Sequence, residues 1–296
     1  MVTVTLWNVL MSVLRLHTNP TTKIFGLVQT VVILLKAQHL MFKFKGAKKM
    51  KIGITERGDA SLDYSWVNKL NSVDGAILIT KNITDKFIDA VLPHKNHLVI
   101  HATCTGYGQT VIEPNVPPYR EQLKQAQKLV DNGFPIDNIV IRVDPIIPTA
   151  KGIALAGQII MRAYLIHGFK RFRISVLDMY PHVRERFRLA DLPLPYGENF
   201  SANKQQFADL DCMLKQCLRA YPDISIECCA EPNLSIPQKT GCVGYREIEL
   251  LGLVNNVDNL LTKGQRRDCL CIAGKTELLN SCHRCKHGCL YCYWKD

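Results

Sequence analysis

Ile139-Val140-Ile141-Arg142-Val143-Asp144-Pro145 is the stretch on which the fold turns. Its core is a short apolar, β-branched run, the pattern of a strand buried in a parallel sheet. Arg142 and Asp144 alternate onto one face of that strand, and charges buried there need partners. Working outward, similar runs recur at 51–55 (KIGIT), 75–80 (GAILIT), 97–102 (HLVIHA), 172–176 (FRISV) and 224–228 (ISIEC). Between them lie helical stretches near 61–71, 84–92, 118–132, 152–167 and 202–221. Pro117 and Pro118 stand where a helix start tolerates proline, and Gly133 stands where a helix stops. Alternating strand and helix imply an α/β fold, a parallel sheet with helices outside it. A doubly wound sheet and a partial barrel both satisfy that pattern. The 296 residues are 47% hydrophobic, enough to bury a large core, which excludes a disordered chain.

Active sites of barrels form at the carboxyl ends of the strands. This reading places Lys81 after the second strand, Thr103 after the third, Arg142 and Asp144 on the fourth, Asp178 and Tyr180 after the fifth, and Glu227 and Glu231 at the sixth. The plainer account is that some of these cap helices or form surface ion pairs.

The tail reads Cys285-Lys286-His287-Gly288-Cys289-Leu290-Tyr291-Cys292, a C-x3-C-x2-C spacing. Three thiolates that close can hold three irons of a 4Fe–4S cluster and leave the fourth iron without a protein ligand. Zinc is a rival, since Cys282 and Cys285 form one CxxC pair and Cys289 and Cys292 another. Zinc ribbons, however, separate their pairs by about 12 to 20 residues, and here only Lys286, His287 and Gly288 intervene. The ferredoxin run has its gaps in a different order. Disulfides are a third reading of the twelve cysteines, without a secretory signal to support it.

The spacing resembles that of the radical S-adenosylmethionine (radical SAM) superfamily. The resemblance implies a six-unit open (β/α)6 partial TIM barrel over 50–228, with a cysteine-rich segment, 229–296, folded over its mouth. It implies a 4Fe–4S cluster on Cys285, Cys289 and Cys292. It further implies S-adenosylmethionine as cosubstrate, cleaved to a 5′-deoxyadenosyl radical, and an electron donor such as flavodoxin or ferredoxin. Tyr291 is expected beside the adenine side of the cosubstrate. Lys81, Thr103, Asp178 and Glu231 are expected to bind the cosubstrate, and Arg142 and Asp144 to serve as catalytic residues.

Further pieces match in order over about 50–296: Thr80-Lys81-Asn82, Tyr107-Gly108, Glu113-Pro114-Asn115-Val116-Pro117-Pro118, Arg142-Val143-Asp144-Pro145-Ile146, Ile174 to Tyr180, Cys229-Ala230-Glu231, Gly241-Cys242, Gln265-Arg266 and Cys269-x-Cys271. Together with the tail they resemble an uncharacterised radical-SAM-like family, a domain of unknown function sometimes labelled DNA repair photolyase-like. The run Thr55-Glu56-Arg57-Gly58-Asp59 departs from that family's pattern, and Cys104 and Cys282 are extra. The other matching cysteines, Cys229, Cys242, Cys269 and Cys271, are enough for a second metal site, an auxiliary Fe–S cluster or a zinc. Cys212 and Cys217 lie on a helical stretch and read as packing residues.

The net charge of +11 is unevenly spread. Residues 1–49 hold seven of the 37 basic side chains and no acid, leaving 30 basic against 26 acidic in the rest. Within that segment the apolar run 24–35 is shorter than the about 20 residues that span a bilayer. It lacks a clear cleavage site for a signal peptide. Residues 1–49 are therefore expected outside the fold, with translation starting at Met50, and the protein is expected in the cytoplasm. Two functions compete. One is a radical SAM enzyme of unknown substrate, with nucleic-acid repair or modification among the choices. The other is a zinc- or Fe–S-stabilised nucleic-acid-binding protein without catalysis, gripping phosphates through Lys263, Arg266, Arg267, Lys275, Arg284, Lys286 and Lys295.

Overall fold

A computed structural model describes residues 50–254, 268–271, 275–281 and 283–295. The chain divides into Met1–Lys49 and Met50–Asp296, and the described residues belong to the second unit. The expectations for residues 1–49, Lys263, Gln265, Arg266, Arg267 and Cys282 lie outside the described residues.

The six apolar runs form six parallel strands: β1 (Ile52–Ile54), β2 (Gly75–Thr80), β3 (Leu98–Thr103), β4 (Ile139–Ile146), β5 (Arg171–Val176) and β6 (Ser225–Cys228). The helices are α1 (Ser65–Lys69), α2 (Asp85–Val91), α3 (Tyr119–Asp131), α4 (Ala150–His167), α5 (Pro181–Leu189), α6 (Lys204–Ala220) and α7 (Tyr245–Leu250). Side-chain caps start three of them. Thr84, Thr149 and Asn203 accept from the backbone N–H of Phe87, Gly152 and Gln206 at 3.2, 3.2 and 2.9 Å. Gly133 follows α3 with φ +91°, a left-handed conformation that glycine adopts without steric cost.

Where the sequence points to six strands, the sheet holds eight. Two short strands join it, β7 (Gln238–Lys239) beside β6 and β8 (Lys275–Glu277) beside β1, so the order is β7-β6-β5-β4-β3-β2-β1-β8. All ladders are parallel. The order steps one way from β1 to β7, and β8 lies on the other side of β1. It is the order of an eight-stranded barrel cut between β7 and β8, and no ladder joins those two strands among the described residues. The expected segment 229–296 thus contributes strands and helix α7 as well as loops.

Side-chain alternation gives the sheet two unlike faces. Ala76, Leu78, Leu98, Ile100, Ile141, Phe172 and Ile174 pack with Phe87, Leu123, Ile159 and Leu210 under the outer helices. On the other face Ile52, Ile54, Ile77, Val99 and Val140 pack with Val243, Ile248 and Leu251. Helix α7 and the residues beside it therefore fill part of the inner face. The rest of that face is polar and forms the site.

Candidate functional site

Across β3 to β6 the register sets Thr103, Arg142, Arg173 and Glu227 in one row on the inner face. Thr103 and Arg142 of this row, with the loops beyond the strand ends, line a cavity of about 500 Å³. Its walls include Lys81, Thr103, Arg142, Asp144, Asp178 and Tyr291. They also include all seven cysteines singled out by sequence: Cys229, Cys242, Cys269, Cys271, Cys285, Cys289 and Cys292. Of the expected site residues only Glu231 is off the cavity wall. It lies one layer behind, accepting from Ser175 Oγ at 2.7 Å and Val176 N–H at 2.9 Å, and burial pushes its carboxyl up to about 7.

The tail loop is pinned from several sides. His287 Nε2 stands 2.8 Å from Asp59 Oδ2, and its Nδ1 stands 3.1 Å from the Asn115 carbonyl oxygen. Asp59 is buried and also accepts from Thr80 Oγ1, Ser61 N–H and Lys81 N–H at 2.7, 2.8 and 2.6 Å. Asn115 donates through Nδ2 to the Lys286 carbonyl at 2.9 Å, and Leu290 N–H donates to the Ile112 carbonyl at 3.0 Å. From α5, Arg186 donates to the carbonyls of Cys292 at 2.6 Å and Trp294 at 2.5 Å. Gly288, with φ +66°, makes the turn between Cys285 and Cys289. Asp59 thus orients the cysteine loop, a role the departure at 55–59 had hidden, and the spacing Cys285-x-His287-Gly288-Cys289 is its only sequence signal.

Lys81, Glu113 and Tyr291 meet beside Cys289. Lys81 Nζ donates to Glu113 Oε1 at 2.9 Å and to Tyr291 OH at 2.7 Å, and Tyr291 OH donates to the same Glu113 oxygen. Thr105 Oγ1 holds the other Glu113 oxygen at 2.7 Å. Lys81 Nζ lies 5.2 Å from the Tyr291 ring centroid, a cation–π distance. Burial opposes the Lys81 ammonium, yet Glu113, Cys289 and Asp144 together raise its pKa above the usual lysine value. Burial pushes the Cys289 thiol up to about 12, with Lys81 working the other way. A bound metal reverses that preference by holding the thiolate.

Arg142 and Asp144 pair with each other on the cavity wall. Deeper lies a second ionic group. Arg171 Nε donates to Glu227 Oε1 at 2.8 Å, Arg173 Nη2 donates to Glu227 Oε2 at 2.6 Å, and both arginines also reach Glu247 of α7. All four are nearly sealed from solvent. Beside them His101 is fully buried, and neither ring nitrogen has a partner among the described residues. Burial, then the charges of Arg173, Arg142 and Arg171, hold its pKa well below the ordinary value, so the ring is neutral. Sequence reading missed Glu113, Glu247 and His101 as site elements, since each becomes informative only once distant segments meet.

Cys229, Cys242 and Cys271 place their sulfurs within 4.8 Å of one another and could bind a metal. Cys104 and Cys228 face the outer core, away from the cavity. No disulfide joins the described cysteines. Of the proposed phosphate contacts, Lys275 pairs with Glu56 at 2.7 Å, and Arg284 donates to the carbonyls of Gly288 and Cys289 at 2.9 and 3.1 Å. Lys286 and Lys295 are exposed. No helix of the described residues is long and apolar enough to cross a membrane.

No curated protein matches the chain. A family model described as "Domain of unknown function (DUF1848)" matches residues 61–294. With so much of its length covered, the chain belongs to that family.

Proposed function

We propose that the protein is a radical SAM enzyme whose barrel is a variant of the superfamily's partial (β/α) barrel. The observation that carries this reading is the meeting of the C-x3-C-x2-C thiols with the polar strand ends in one cavity of about 500 Å³. That volume falls within the usual range of small-molecule sites. The residues present fit the implied groups. Cys285, Cys289 and Cys292 would hold a 4Fe–4S cluster. Reduced by a flavodoxin- or ferredoxin-like donor, the bound cluster would supply the electron that cleaves S-adenosylmethionine to methionine and a 5′-deoxyadenosyl radical.

The chain's own residues have separate tasks in this reading. Tyr291 presents its ring to the cavity while Lys81 and Glu113 fix its hydroxyl. Lys81, Thr103 and Asp178 offer donors and acceptors to the polar groups of the cosubstrate. Arg142 and Asp144 stand on the same wall, where a substrate would meet them. Glu231 acts only indirectly, by fixing Ser175 and the Val176 amide. The competing binding-protein reading loses support because Lys275 and Arg284 are engaged within the fold.

The test is anaerobic. The full chain is reconstituted with iron and sulfide, then given dithionite and S-adenosylmethionine, and 5′-deoxyadenosine is measured beside the Cys289→Ala variant. Product from the parent and none from the variant is expected. Iron-loaded protein that yields no product would sink the reading.

A further inference from the structure

We infer that Cys229, Cys242, Cys269 and Cys271 together hold one zinc ion in tetrahedral coordination, and that this ion clasps the open seam of the sheet between β7 and β8. The first support is distance. Zinc–sulfur bonds of about 2.3 Å at tetrahedral angles put neighbouring sulfurs about 3.8 Å apart. Cys229 Sγ stands 3.8 Å from Cys269 Sγ and 4.0 Å from Cys271 Sγ. Cys229, Cys242 and Cys271 lie within 4.8 Å of one another, a group that does not include Cys269, which the ion would draw in from beside Cys229. A 4Fe–4S cube seats each thiolate on a different iron and needs a wider frame. The spacing therefore selects a single ion over an auxiliary cluster.

The second support is position. Cys229 directly follows β6, Cys242 follows β7, and Cys269 and Cys271 precede β8. The two segments flanking the seam touch at this point. Cys242 N–H donates to Cys271 Sγ at 3.1 Å. A Cβ added at Gly241 would come within 2.7 Å of Cys271 Cα, so only glycine allows the approach. Sulfurs drawn from three separate segments thus come together beside the edges that no ladder joins among the described residues.

The third support is charge. Zinc with four thiolates is a doubly negative group, and a buried group of that kind needs compensation. The register sets Arg142 beside Arg173, and both lie within electrostatic reach of Cys242. Arg142 Nε and Arg173 Nε and Nη1 have no partner among the described residues. Donors of this kind next to metal-bound ligands orient the ligands and steady the charge.

The test separates this site from the tail motif by using a full-chain variant in which Cys285, Cys289 and Cys292 are all alanine. Zinc, iron and acid-labile sulfide are measured per chain, cobalt is exchanged for zinc, and amide hydrogen exchange is followed at Leu278. The Leu278 N–H donates to the Ile54 carbonyl at 2.8 Å and so reports β8 docking. Expected are a stoichiometric zinc with little iron, tetrahedral cobalt–thiolate absorption, and loss of zinc in Cys242→Ser and Cys271→Ser. Stripping zinc from the folded protein with a chelator is expected to speed exchange at Leu278 while β2 and β3 amides stay protected. The chelation experiment stands even where a serine variant fails to fold. Iron with sulfide in the triple-alanine variant would overturn the single-ion assignment. Metal-free folded protein would overturn the site, and unchanged Leu278 exchange would overturn the clasp. None of these readouts depends on cleavage of S-adenosylmethionine.

Discussion

The tail thiols and the seam thiols share one cavity and are built in opposite ways. Cys285, Cys289 and Cys292 come from a single loop, and their sulfurs do not gather within 4.8 Å of one another. Backbone and side-chain hydrogen bonds from Asp59, Asn115, Ile112 and Arg186 hold that loop. The seam sulfurs come from three segments; those of Cys229, Cys242 and Cys271 gather within 4.8 Å, and that of Cys269 lies 3.8 Å from Cys229. A loop fixed by its backbone can spread its thiolates and leave a coordination position open for chemistry. Thiolates packed from distant segments close every position and join the segments instead.

The largest expected effect is a crossed loss of metals. Cys289→Ser should lose iron and sulfide and keep zinc, and Cys242→Ser should lose zinc and keep iron, both read by metal analysis. A single substitution that empties both sites would break the contrast. Next comes Glu247→Gln, which leaves Arg171 and Arg173 short of a buried counter-charge. Its expected cost is about 3–5 kcal/mol in urea unfolding, with reduced zinc retention because α7 follows Cys242. A loss under about 1 kcal/mol would show that Glu227 alone satisfies both arginines. Arg186→Ala removes charge-assisted bonds to the tail carbonyls, each contributing about 1.5–3 kcal/mol. It should weaken iron retention and leave zinc untouched, and equal loss of both metals would argue that the two sites are one unit. The smallest effect belongs to Cys104→Ala. That thiol is buried against the outer helices, so a packing loss of about 1 kcal/mol is expected with both metals retained.

Strands β1 to β6 were legible because each is a buried apolar run with a boundary. Strands β7 and β8 were not, since Gln238-Lys239 and Lys275-Thr276-Glu277 are short and polar and owe their conformation to neighbours. Helix α5 escaped notice because four of its nine residues are charged and only Val183, Arg186 and Phe187 are buried. Cys285, Cys289 and Cys292 were readable by spacing and the other four through the family resemblance, and the cavity wall contains every one that was named for metal. Asp59, Glu113 and Arg186 were not assigned their roles, because a hydrogen bond between residues more than 100 apart leaves no periodicity in a sequence. The conformation of the seam cysteines likewise depends on a close approach at Gly241 that only three dimensions reveal.

The quartet of Arg171, Arg173, Glu227 and Glu247 has a consequence beyond its energy. Replaced as a set by apolar groups of the same size, such a quartet is often no loss in stability. What it supplies is an address. The apolar packing of Ile248 and Leu251 is non-directional, whereas the hydrogen bonds of Glu247 to the two arginines fix one seating. A slip of α7 by a turn would carry Cys242 about 5.4 Å along the helix axis, beyond the reach of Cys229 and Cys271. The charges on the inner face of the sheet thus act as the key that lets the proposed metal find its ligands.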